Sequence, residues 1–240
     1  MVIKKVCDIE RQKRNKSFDK SLRPLLVSEG DSWFNYPDSF PLSLMEKFHG
    51  VDIIDALMDE HGWRGHIYSL DCPGETLRAM LNDKSDDNFQ DVMKRLQPDA
   101  YLLSAGGNDY IQRFIKTERV PEKPLIDAFV IELEAMMIQM FTAVKAVSPH
   151  SKIFIHGYDY APVVSRYFVD EANRMIAGLA PRFNDGKADQ FIHIDFRNTL
   201  SPHHWLEDGI HPMPAGFHIL AKKFNQALID KNLMPTLKGA

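Results

Sequence analysis

The sequence predicts an α/β fold, three layers deep, with a five-stranded parallel sheet between helices. Three observations carry that expectation. Short apolar segments of strand length alternate with longer helical patterns over the whole chain. The strand-like segments are apolar throughout rather than alternating with polar residues, as strands covered on both faces are. The chain is 240 residues long with no internal repeat, low-complexity tract or linker, which suits a single packed domain.

In order, the expected strands are Pro24–Ser28, His66–Leu70, Ala100–Ser104, Lys152–His156 and Gln190–Asp195, each rich in Ile, Leu, Val, Tyr or Phe. The first helical pattern, Leu42–Glu60, follows Pro41 and repeats apolar residues at three-to-four spacing. A second region, Glu75–Leu81 and Asn88–Leu96, is interrupted by the polar stretch Asn82–Asp87. Pro124–Val147 is the longest, with Leu125, Phe129, Leu133, Met136, Met140 and Val144 on one face. Its methionines are expected as core filler. Tyr167–Ala180 and Ala215–Leu228 complete the set. Residues 1–23, mixed in charge, are expected to form a charged N-terminal arm, solvated or as a short helix, and residues 24–240 one domain.

Composition narrows the function. Hydrophobic residues make up 44% and charged residues 26%, which is globular. A net charge of −4 disfavours a general nucleic-acid binder. Leu133–Val147 is too short and too mixed to span a bilayer. The start has no apolar stretch for a signal-peptide core, and Cys7 does not sit in a lipobox. Two cysteines, Cys7 and Cys72, are too few for a disulfide framework and suggest a reducing compartment. The expectation is a cytoplasmic protein; its oligomeric state is not legible.

In a doubly wound sheet the functional loops lie at the carboxyl ends of the strands. Gly30-Asp31-Ser32 leaves the first strand and presents a hydroxyl at the sheet edge. The second strand ends near Gly74, where a glycine permits close backbone approach and an N–H facing a ligand. The third ends in Gly106-Gly107-Asn108-Asp109, offering a neutral amide donor. Near the C-terminus stands Asp208-Gly209-Ile210-His211. A carboxylate three residues before a histidine can accept from one ring nitrogen and leave the other free as a base. Alone, each tripeptide reads as ordinary turn chemistry. Together they supply a nucleophile, oxyanion donors, a base and an orienting acid, and a 2-1-3-4-5 strand order would seat Ser32 between Gly74 and Asn108.

These four blocks, in this order over residues 25–225, resemble those of the SGNH hydrolases, also called the GDSL esterase/lipase family. Trp33 stands where the family name has Leu, at a variable position. The resemblance implies a flavodoxin-like fold and ester hydrolysis through an acyl-Ser32 intermediate, with no cofactor. It implies Ser32, Asp208 and His211 as catalytic residues, and Ser32, Gly74 and Asn108 as the oxyanion hole. Asp31 is expected to support its turn and Asp109 its loop. Trp33 and Tyr110, beside these blocks, are expected to line the substrate pocket. No metal site is expected, because His193, Asp195, His203, His204 and His211 lack zinc-ligand spacing, and no phosphate-binding glycine motif appears. The expected partner is a small-molecule ester with a short acyl group. The alternatives are a carbohydrate O-deacetylase, a lysophospholipase or a thioesterase on the same machinery, or a catalytically idle binding module.

Overall fold

The computed structural model describes residues 2–36, 51–85, 87–116, 121–184, 186 and 189–236. Helix α1 (Val2–Asn15) precedes strand β1 (Leu26–Gly30). Then come α2 (Ile53–Glu60), β2 (Ile67–Ser69), α3 (Leu77–Asn82), α4 (Phe89–Leu96) and β3 (Ala100–Ser104). Helix α5 (Gly107–Tyr110) runs into a π-helical turn, Ile111–Ile115, and α6 (Lys123–Val147) follows. The remainder is β4 (Lys152–Gly157), α7 (Arg166–Gly178), α8 (Ala180–Asn184), β5 (Phe191–Asp195) and α9 (Pro214–Asp230).

The five strands form one parallel sheet in the order β2-β1-β3-β4-β5. Side chains alternate across it. Leu26, Leu102, Phe154 and Ile192 pack with Ile54 and Leu57 of α2 and Phe217, Leu220 and Phe224 of α9. Val27, Tyr101, Leu103, Ile153 and Ile155 pack with α3, α4, α6 and α7 on the opposite face. This is the expected three-layer arrangement.

Local chemistry explains the helix starts. Asp52, Thr76 and Asn88 cap α2, α3 and α4 by accepting from Asp55, Ala79 and Asp91 N–H groups at 2.9, 3.1 and 3.1 Å. A proline in the first turn opens α6 and α9. Of the expected Leu42–Glu60 helix, the described part begins at Ile53, and residues 42–50 lie outside the described residues.

Two expectations change. The first strand was expected to end at Ser28, before a charged residue, but β1 continues through Glu29 to Gly30, opposite Leu103 and Ser104. Glu29 is a buried carboxyl, 4% exposed, and a buried acid looks in sequence like the end of a strand. At the N-terminus, of the two alternatives the helix is observed, α1, and its Arg14 is buried rather than solvated. No helix among the described residues is long and apolar enough to cross a membrane. Cys72 is disulfide-bonded, so the cysteines carry no argument for a reducing compartment.

Candidate active site

The strand order reverses beside β1, and the loops after β1, β2 and β3 meet at that edge of the sheet. Ser32 Oγ lies 2.8 Å from His211 Nε2, although 179 positions separate them. His211 Nδ1 lies 2.6 Å from Asp208 Oδ2. Partial burial pushes the Asp208 carboxyl up. Hydrogen bonds from the His211 ring and from the N–H groups of His211 and Ile210 outweigh it and hold the group at about 2. An ionised carboxylate only accepts, so Nδ1 carries the proton and Nε2 is left to accept from the Ser32 hydroxyl. Tyr36 meets the His211 ring edge-on, with centroids 5.1 Å apart.

The loop carrying Ser32 is held from below. Asp31 is buried and accepts from Trp33 N–H at 3.0 Å, Ser104 Oγ at 2.8 Å and Tyr158 Oη at 2.5 Å. Burial raises the Asp31 carboxyl, while these three donors pull it back. Burial and the adjacent Asp31 push the Tyr158 hydroxyl well up, so it remains a donor. Asp31 therefore supports its turn, as expected. Tyr158 also closes on the neighbouring loop: a Cβ at Gly107 would come within 2.8 Å of its ring, so that position needs glycine. Asp109 Oδ2 accepts from Leu77 N–H at 2.8 Å and ties the β3 loop to α3.

Asn108 donates one amide hydrogen to the Glu75 carbonyl at 3.1 Å, which leaves its second for a ligand. Gly74 stands beside it in the β2 loop with φ +77°, and a Cβ there would meet nothing within 4 Å.

Trp33 and Tyr110 are 3% and 2% exposed; they form buried walls. With Ser32, Ile111, Val164 and Phe168 they line an apolar cavity of about 30 Å³ that also touches Asn108. His156 stacks on Trp33 and on Phe196, with centroids 5.6 and 4.9 Å away. Burial lowers its imidazole to about 3, so it is a neutral flat partner. A groove of about 660 Å³ lies between α1 and the β2 loop, and its lining includes Gly74 with Arg11, Gln12, Glu75 and Asp83.

Among the described residues no group of three or more His, Cys, Asp and Glu is arranged to hold a metal ion. Asp195 pairs with Arg197 at 2.6 Å, and His204 Nδ1 engages Ser201 Oγ at 2.9 Å. No motif in the sequence marks Tyr158, Glu75, Arg11 or Arg14 as part of the site, because their contacts come from elements distant in the chain.

The model of the GDSL-like lipase/acylhydrolase family matches residues 30–219, most of the chain. No curated protein matches in sequence. Among solved structures, the acetylxylan esterase Axe2 from Geobacillus stearothermophilus is similar in fold. It is 20% identical, with a TM-score of 0.57, covering 86% of this chain and 94% of that one. The lipase Lip_vut3 from a goat rumen metagenome is 12% identical, with a TM-score of 0.60 and coverage of 85% and 96%. The family match takes in Gly30-Asp31-Ser32, both glycine-containing loops and the Asp208–His211 segment, and the fold is shared with the solved neighbours: the chain belongs to the GDSL-like lipase/acylhydrolase family and is an SGNH-type ester hydrolase.

Proposed function

We propose that the protein is a serine-dependent hydrolase of esters with short acyl groups. Ser32 Oγ attacks the ester carbonyl carbon while His211 Nε2 takes its proton, and Asp208 steadies the resulting imidazolium. The oxyanion is met by the N–H groups of Ser32 and Gly74 and by the free amide hydrogen of Asn108. One such donor commonly contributes ~10²–10³ in turnover. His211 returns the proton to the leaving alcohol and then activates the water that releases the acid. The observation that carries this reading is the hydrogen-bonded line Ser32–His211–Asp208, at 2.8 and 2.6 Å.

The apolar cavity supports the acyl preference. A cavity needs roughly 10–15 Å³ to hold a single water, so about 30 Å³ fits an acetyl methyl and little more. The groove that Gly74 helps line, with Arg11, Gln12, Asn15 and Asp83 as hydrogen-bonding groups, supports a second reading for the alcohol side, a polyhydroxylated alcohol such as an acetylated sugar. Its volume of about 660 Å³ falls within the roughly 300–1,000 Å³ usual for ligand sites.

Covalent labelling by a fluorophosphonate, with turnover of a short-chain ester, tests the assignment. Wild type should label. Ser32→Ala should not, and its kcat should fall by ~10⁴–10⁶ with the fold intact. A variant that keeps a tenth of the wild-type rate excludes Ser32 as nucleophile, and a wild type inert to both probes is an idle binding module.

A further inference from the structure

Helix α1 lies outside the matched family segment, yet its side chains reach both loops of the site. Asn15 pairs with the exposed edge of β2: its Nδ2 donates to Ser69 O at 2.9 Å and its Oδ1 accepts from Ser69 N–H at 2.8 Å. This covers the outer strand of the sheet, whose backbone groups would otherwise lack partners. Arg14, the preceding residue, donates to Phe34 O at 2.5 Å in the nucleophile loop and stands 3.7 Å from Asp71 Oδ2 in the β2 loop. It also pairs with Asp52 and, at 3.0 Å, Asp55 at the start of α2. Arg11, one further turn back, donates from Nε to Asp71 O at 3.3 Å. Its Nη2 stands 3.7 Å from Glu75 Oε2, an ion-pair separation.

Asp71 and Glu75 are the two ends of the turn that carries Gly74. The turn is fastened to the nucleophile loop by Cys72 N–H on Gly30 O at 2.7 Å and by Asn35 Nδ2 on Asp71 O at 2.9 Å. From its far end, the Glu75 carbonyl receives the Asn108 amide at 3.1 Å. One guanidinium therefore spans the segment that presents one oxyanion donor and orients the other.

We propose that Arg11 is a positioning residue for the oxyanion hole, holding the Asp71–Glu75 turn so that Gly74 N–H and the Asn108 amide converge on the developing charge. The inference rests on the serine-hydrolase reading of the site. Arg11 touches no reacting atom and acts through Asp71 and Glu75. Oxyanion donors act by pre-set geometry, and a misplacement of about 1 Å can cost about a hundredfold in rate. The planar fork of arginine holds a carbonyl and a carboxylate together, whereas a lysine ammonium acts as a point charge.

The full chain carrying Arg11→Met, Arg11→Lys or Ile9→Ala is assayed at pH 8 on an acetyl ester, with melting temperature and inhibition by a trifluoromethyl ketone measured alongside. Ile9 is exposed on the same helix and should leave all readouts unchanged. Arg11→Met should lower kcat by about 10–100-fold with KM nearly unchanged. Ketone affinity should weaken by a similar factor and the melting temperature should hold. Arg11→Lys should lie between it and wild type. Unchanged kcat in Arg11→Met overturns the proposal, and so does a raised KM with intact kcat, which would make Arg11 a substrate contact in the groove. If Arg11→Met does not fold, Arg11→Lys decides: reduced kcat at constant KM supports the role, and wild-type kcat overturns it. Ser32→Ala separates the two readings. An active Ser32→Ala overturns the nucleophile assignment, and an inactive one beside a wild-type Arg11→Met overturns the role of Arg11 alone.

Discussion

Asp208 and Asp195 both stand near the C-terminal histidines, and their surroundings separate them. Asp208 accepts from the His211 ring at 2.6 Å and from two backbone N–H groups. Asp195 is held by Arg197 through both carboxylate oxygens. Replacing Asp208 by Asn offers His211 Nδ1 an amide, which can favour the wrong tautomer, and such a change in a triad costs ~10⁴ in kcat. Asp208→Asn should therefore lose about that much, while Asp195→Asn stays within about tenfold of wild type. Steady-state kinetics on one ester decides it, and equal losses in two folded variants would remove Asp208 from the orienting role. The three-residue spacing to His211 made this pair legible in sequence because both groups sit on one local turn. The aromatic sandwich that holds Trp33 was not legible, since His156 and Phe196 arrive from β4 and the end of β5.

Packing between elements sets the apolar cavity beside Ser32. Its walls come from the β1 loop, α5 and its π-helical turn, the β4 loop, α7 and Ile210 of the Asp208–His211 turn, so five segments must dock before the cavity exists. With about 30 Å³ to fill, wild type should prefer acetyl over dodecanoyl esters. Trp33→Ala should open the wall and shift the ratio of kcat/KM toward longer chains, because each accommodated methylene contributes ~1–3 kcal/mol. The same substitution empties a buried site and should cost ~3–5 kcal/mol of stability, so the ratio must be read below the melting transition. A wild type that favours dodecanoyl, or an unchanged ratio in the variant, would show that the cavity does not hold the acyl chain. Helix existence was legible at this scale: the apolar stripe of α6 is a signal within a turn or two. The docking of α1 was not, because a run of basic and acidic residues reads alike whether water or a buried carboxylate meets it.

For the molecule as a whole, buried carboxyls tie stability to pH. Burial pushes the Glu75 carboxyl from 4.5 up to about 7, against the pull of Arg11. Glu29, buried beside it, is raised as well. Between 4.5 and about 7 the folded protein keeps a proton at Glu75 that the unfolded chain has released. Stability from this group is therefore full at the acid end of that window and lost as pH rises through it. Asp208 acts in the opposite sense, since its folded value of about 2 lies below the ordinary 3.8. Its contribution is present above that ordinary value and disappears as pH falls toward 2. Urea midpoints at pH 5 and pH 8 should show a smaller fall for Glu75→Gln than for wild type. The same fall in both proteins would mean that Glu75 is not the proton holder.

The amino-acid sequence by itself determined the layers, the number of strands, the segments that could carry chemistry and their order. Those signals are local: a short unbroken apolar run, an apolar stripe at helical spacing, a glycine turn, an acid three residues from a histidine. It did not determine that β1 runs on through Glu29, that Tyr158 donates to Asp31 across 127 positions, or that Arg11 and Arg14 bind the loops around Ser32 and Gly74. Those are choices of tertiary structure. A buried charge costs several kcal/mol unless partners surround it, and here the partners come from α1, the β2 loop and the start of α2, which meet only when the sheet has assembled.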